Sequence, residues 1–68
     1  MQESIEKNFT YHPVKGNQAI RYQELRDKAK EFAFLINSEC PYSRERSLAL
    51  TRLEEVIMWA NASIARNE

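Results

Sequence analysis

The chain lacks nearly everything that staples a small domain together. One cysteine in 68 residues cannot close an intrachain disulfide, which suits a reducing compartment. One cysteine and one histidine fall short of the four ligands a structural zinc ion takes. One glycine and two prolines are too few for the turns of an all-β domain. An excess of either charge is missing too. Ten Lys+Arg against ten Asp+Glu give a formal net charge of zero. A polynucleotide coater is thereby disfavoured, since such binding rests on many phosphate contacts and a basic footprint. The apolar run Val56-Ile57-Met58-Trp59-Ala60, which no other run exceeds, falls far short of the ~20 residues that span a bilayer, so no membrane partner is expected. The opening Met1-Gln2-Glu3-Ser4-Ile5-Glu6 lacks the basic start and long apolar stretch of a secretory signal, and the expected location is cytosolic. A domain of ~60 residues buries only ~60% of its unfolded surface. Without disulfide or metal, self-association is the usual remedy, and an oligomer is expected on size alone.

What is present is helical patterning. Residues 1–16 are polar and irregular, with a short helical turn expected over Ser4 to Asn8 and a break at His12-Pro13. Lys15-Gly16-Asn17 reads as a turn, because Gly and Asn tolerate left-handed backbone. Residues 18–38 read as a helix capped by Asn17. Tyr22, Leu25, Ala29, Phe32 and Ile36 repeat at 3, 4, 3, 4, the period of one helix face. Glu24 and Lys28 form a favourable i,i+4 pair. Pro41 pushes Cys40 out of helical geometry, and Ser43 offers a cap for a second helix over 43–66. There Leu50, Leu53, Ile57, Ala60 and Ile64 repeat the same spacing. A short connection between two long helices implies an antiparallel hairpin. The expected fold is all-α, one domain over 1–68, with a short N-terminal element packed on a two-helix hairpin. Phe34, Leu35, Val56 and Trp59 exceed what one seam needs and must meet the N-terminal segment or another chain.

Catalytic chemistry finds little footing. Cys40 and His12 are the only nucleophile and base of note, and they sit near opposite ends of a ~30 Å rod. Glu54 and Glu55 are adjacent on a helix and point apart. No metal cluster and no glycine-rich phosphate loop is found. Anion binding fits better. Lys15, Arg21, Arg26, Lys28 and Lys30 outweigh Glu24 and Asp27 over residues 15–30. Arg26 and Lys30 share a face and repel mildly unless an anion lies near; an ordinary solvated basic face is the plainer reading. Phe9, Tyr11, His12 and Pro13 lie just upstream. Rings beside cations suit nucleotides, with ~1–3 kcal/mol per stacked base. Alternatively, Phe9 and Tyr11 staple the N-terminal segment to the hairpin. Arg44 and Arg46 oppose the macrodipole of their own helix. They pair with acids on another subunit, receive an anion, or are tolerated at the surface.

The run Ser43-Arg44-Glu45-Arg46-Ser47-Leu48-Ala49-Leu50-Thr51-Arg52-Leu53-Glu54-Glu55-Val56-Ile57-Met58-Trp59-Ala60-Asn61-Ala62-Ser63-Ile64-Ala65-Arg66 resembles the helical hairpin domain of phage anti-defence sponge proteins. Phe9-Thr10-Tyr11-His12-Pro13 and the Tyr22-to-Lys30 helix are similar to its N-terminal half. The likeness covers about Phe9 to Arg66 and points to the anti-CBASS cyclic-oligonucleotide sponges, with a related hairpin in a sponge opposing the Thoeris defence. The resemblance implies a hexamer in the cytoplasm of the infected bacterial host. It implies binding of cyclic dinucleotides such as cyclic GMP-AMP, and cyclic trinucleotides at a separate site, without cleavage and without a cofactor. By the family pattern Tyr11 stacks a base and Arg26 meets phosphate. Lys30 is a supporting cation; Phe9, His12 and Pro13 shape the wall; Arg66 belongs to the trinucleotide site. The rival expectation is a helical adaptor that binds protein helices and no nucleotide.

Overall fold

Cys40 and Pro41 divide the chain into two long helices. The computed structural model describes residues 2–68, and the helices are α1 (Gln2–Phe9), α2 (Gln18–Glu39) and α3 (Arg44–Asn67), with no strand among those residues. Cys40 is extended (φ −102°, ψ 135°), as the proline after it demands. Its N–H still donates to the Ile36 carbonyl at 3.0 Å. Ser43 then caps α3: its hydroxyl oxygen accepts from the Arg46 N–H at 3.1 Å and donates to the Pro41 carbonyl at 3.0 Å.

The cations in the first turn of α3 have a structural explanation in Arg46. Its guanidinium donates to the carbonyls of Asn37 at 3.3 Å and Cys40 at 3.4 Å, and lies 5.0 Å from the Tyr42 ring centroid. A cation ill placed for its own helix is thus well placed at the negative end of α2.

At the open end of the hairpin, Gly16 takes φ +51° and makes the expected turn. Asn17 does not cap α2 with its side chain. Gln18 closes the turn instead, its Oε1 accepting from the Lys15 N–H at 2.9 Å. Gln18 is also the one buried residue among those described. Its Nε2 donates to Glu68 at 3.3 Å, and Arg21 donates twice to the same carboxylate, once at 2.8 Å. The start of α2 is thereby clamped to the end of α3, and the two helices run antiparallel. The clamp holds the Glu68 carboxyl below its usual range through the bond from Arg21 first and Gln18 second.

The seam is half-buried at Tyr22, Leu25, Ala29 and Ile36 of α2, and at Leu50, Leu53, Ile57, Ala60 and Ile64 of α3. Phe32 departs from expectation. It is 53% exposed, and Ala33 takes the seam position. Both residues continue a helical stripe from Ala29, at i+3 and i+4, and the contact with α3 selects the smaller. Lys28 likewise pairs with Glu31 at 3.5 Å rather than with Glu24.

No apolar side chain among the described residues is buried. The molecule measures 44 × 28 × 12 Å, thinner than two stacked layers of helices with axes 8–10 Å apart. Its accessible surface is 5737 Å², against about 4450 Å² for a folded monomer of this mass. Its radius of gyration is 15.0 Å, against about 11 Å for a compact domain of this length. Phe34, Leu35, Val56 and Trp59 are all more than half exposed. Nor does α1 bury its aromatic neighbours: Phe9 is 86% and Tyr11 83% exposed, so neither staples the segment to its own hairpin. Lys7 Nζ donates to Asn67 Oδ1 at 2.9 Å and holds α1 beside the end of α3.

Candidate functional site

The antiparallel register sets Tyr22 and Arg26, one turn apart on α2, against Asn61, Ala62, Ala65 and Arg66 on α3. The two alanines are short enough to leave a depression between flanking longer side chains. Asn8 and His12 wall it from the α1 side, and the cleft is shallow and open to solvent, with a volume of about 400 Å³. His12 is held by a 2.7 Å contact between Nε2 and the Lys7 carbonyl. A carbonyl only accepts, so Nε2 carries the proton.

The charge of this cleft is one-sided. Arg26 and Arg66 line it, and no carboxylate does. Among the described residues the ion pairs are Arg21–Glu68, Lys28–Glu31 and Arg52–Glu55, so neither lining arginine is neutralised by an acid. Arg26 donates only to the neutral amide of Gln23, at 3.1 Å. Unpaired guanidinium groups in a concave, partly apolar site form a receptor for phosphate or carboxylate. On the same face an apolar groove of about 570 Å³ continues from Arg26 past Lys30, floored by Ala29, Ala33, Leu50, Leu53 and Ile57, with Glu54 at its side. A smaller cleft of about 290 Å³ involves Leu25 and Ile64 and sets Glu24 against Arg21 and Lys28.

His12, Arg26 and Arg66, far apart in the chain, are therefore brought together. Lys30 joins Arg26 one turn along. Tyr11 and Phe9 project from the surface and line neither cleft, and Pro13 is exposed beside them. Cys40 is exposed at the hairpin tip, away from His12 at the open end. Among the described residues no group of three or more His, Cys, Asp or Glu comes together to hold a metal ion. No helix among them is long and apolar enough to cross a membrane.

Tyr22 and Asn61 were not singled out as site residues by the sequence. Tyr22 sits in the helical seam, and its i,i+4 relation to Arg26 is the signal that would have found it. Asn61 stands between Ala60 and Ala62 in mid-helix, where its propensity is poor. Its Oδ1 is buried and has no donor among the described residues.

A family model described as Acb2/Tad1, hairpin domain, matches residues 1–65. No curated protein and no solved structure matches the chain.

Proposed function

We propose, for a chain that belongs to the Acb2/Tad1 hairpin family, that it sequesters cyclic dinucleotides such as cyclic GMP-AMP, and also cyclic trinucleotides, without cleaving them. The family is one of anti-defence cyclic-nucleotide sponges, proteins that bind rather than catalyse. In this reading the protein works in the cytoplasm of a phage-infected bacterium and keeps a CBASS effector without its activator. The observation that carries it is the cleft in which His12, Arg26 and Arg66 meet with no lining carboxylate. A cyclic dinucleotide brings two phosphates and two bases. Arg26 takes a phosphate through charge-assisted bonds, with Lys30 as a second cation along the groove and Arg66 serving the trinucleotide. Tyr11, its ring open to solvent, stacks a base at ~1–3 kcal/mol, while Phe9, His12 and Pro13 shape the wall around it.

Assembly completes the site. The surface excess of about 1300 Å² over a compact monomer is larger than the ~800 Å² that one partner of a standard interface covers. That excess supports the assembly of each copy with at least one neighbour, and the proposed assembly is a hexamer. A two-fold contact between copies supplies Tyr11 and Arg26 twice, in keeping with the approximate symmetry of the ligand.

The exposed apolar faces alone also fit a protein-binding adaptor, and calorimetry separates the two readings. Cyclic GMP-AMP is expected to bind the wild type and to lose at least tenfold in affinity with the Tyr11→Ala, Arg26→Ala double variant. Unchanged affinity in that variant removes the site, and no heat with any cyclic oligonucleotide leaves the adaptor.

A further inference from the structure

We infer that the apolar face of α1 seats in the α2–α3 groove of a second copy, with Ile5 and Phe9 as its anchors. The consequence for Tyr11 rests on the sponge reading; the docking itself adds to that reading the element that joins the copies.

In its own chain α1 is turned the wrong way for packing. Ile5 and Phe9, one turn apart, share a face and are 57% and 86% exposed. Lys7 stands about half a turn round from both, and it is Lys7 that reaches the hairpin, at Asn67. The bonded side of α1 thus faces its own α3, and the apolar side faces away. A helix of eight residues is marginal in water by itself, and burial of that apolar side is what its stability lacks.

The groove of about 570 Å³ between α2 and α3 is the complement. Its floor of Ala29, Ala33, Leu50, Leu53 and Ile57 is apolar, and Lys30 stands at its rim. Glu6 follows Ile5 on α1. Neither Glu6 nor Lys30 has an ion-pair partner among the described residues. An ammonium carries three donors, enough for the Glu6 carboxylate and a phosphate oxygen together. A second copy is the occupant because arm and groove lie on one chain, so that a two-fold contact fills two grooves with two arms. The area also suits it, since the surface exposed beyond a compact monomer exceeds one partner's share of a standard interface. The exchange further explains why Tyr11 lines neither cleft of its own chain. Two residues span at most about 7 Å. An arm with Phe9 at the Arg26 end of the groove therefore delivers the partner's Tyr11 beside Arg26.

The test replaces the anchor by a photoreactive one. Phe9→benzoylphenylalanine keeps an aromatic side chain and, on irradiation, crosslinks to the C–H groups it touches. Unlabelled and heavy-isotope copies are refolded together without nucleotide, irradiated and digested, and the joined peptides are weighed. Position 9 is expected to join Leu50, Leu53 or Ile57, with labelled and unlabelled peptides joined to each other. The Ile5→Ser, Phe9→Ser double variant is expected to associate at least about tenfold more weakly in sedimentation velocity. Far-UV circular dichroism at high concentration checks that α2 and α3 persist in it. Joined peptides that are always both labelled or both unlabelled place α1 in its own groove and overturn the inference. Crosslinks elsewhere, no crosslink, or unchanged association of the double variant overturn it equally. None of these outcomes touches the calorimetry of cyclic GMP-AMP, on which the sponge reading stands or falls, and the nucleotide-free crosslink holds even where that calorimetry fails.

Discussion

Trp59→Ser tests whether the exposed apolar face is covered by further copies of the chain. A tryptophan offers up to ~250 Å², and Trp59 is 59% exposed, which leaves about 150 Å² open. Covering that area is worth about 4 kcal/mol at ~25 cal/mol/Å². Incomplete coverage and ordering costs bring the expected loss to about 2–4 kcal/mol per interface, a factor of roughly 30 to 700 in association. Within its own chain the residue lies off the seam, so the helices themselves should survive. Sedimentation velocity over a dilution series is the assay. The wild type should remain associated at concentrations where Trp59→Ser has dissociated, and the variant should reassociate only when concentrated. Identical sedimentation of the two proteins, or a wild type that is a folded monomer at the lowest concentration, would refute the reasoning.

Other consequences concern the two ends of the hairpin. Glu68 is held in its ionised form by Arg21 and Gln18, so its carboxyl titrates below the ordinary 4.5. The clamp is fully present above that value and is lost as pH falls through the depressed one. The melting temperature should therefore drop on acidification below about pH 4.5, and Glu68→Gln should start lower and respond less. Ser43→Ala removes the α3 cap and should cost ~1 kcal/mol, a fall of about 4–8 °C for a domain of this size. Arg46→Ala should cost ~0.5–1.5 kcal/mol by uncapping α2. Arg46→Met, which keeps the stem but not the donors, should recover little of it.

The features written in local chemistry were legible in the sequence. Pro41 ends α2, Ser43 starts α3, Gly16 makes the turn, and the leucine and isoleucine spacing marks the α3 seam. Each depends on a residue and its near neighbours. The features that were not legible depend on reach across the hairpin. Gln18 reads as an ordinary polar residue until Glu68, fifty positions away, comes beside it. Arg46 looks misplaced until the last carbonyls of α2 are brought under its guanidinium. Phe32 and Ala33 are equally good continuations of a stripe, and only the facing helix decides between them. The candidate site divides in the same way. Arg26 with Lys30 follows from spacing, whereas the meeting of Arg26 with Arg66 and Asn61 follows from antiparallel register.

Mass spectrometry of small molecules released from the purified protein, made in cells alongside a cyclic-oligonucleotide synthase, is the most direct measurement of capture without turnover. The account predicts an intact cyclic oligonucleotide, recovered in fixed proportion to protein and lost from the Arg26→Ala variant. Linear fragments in its place, or no nucleotide at all, would contradict it.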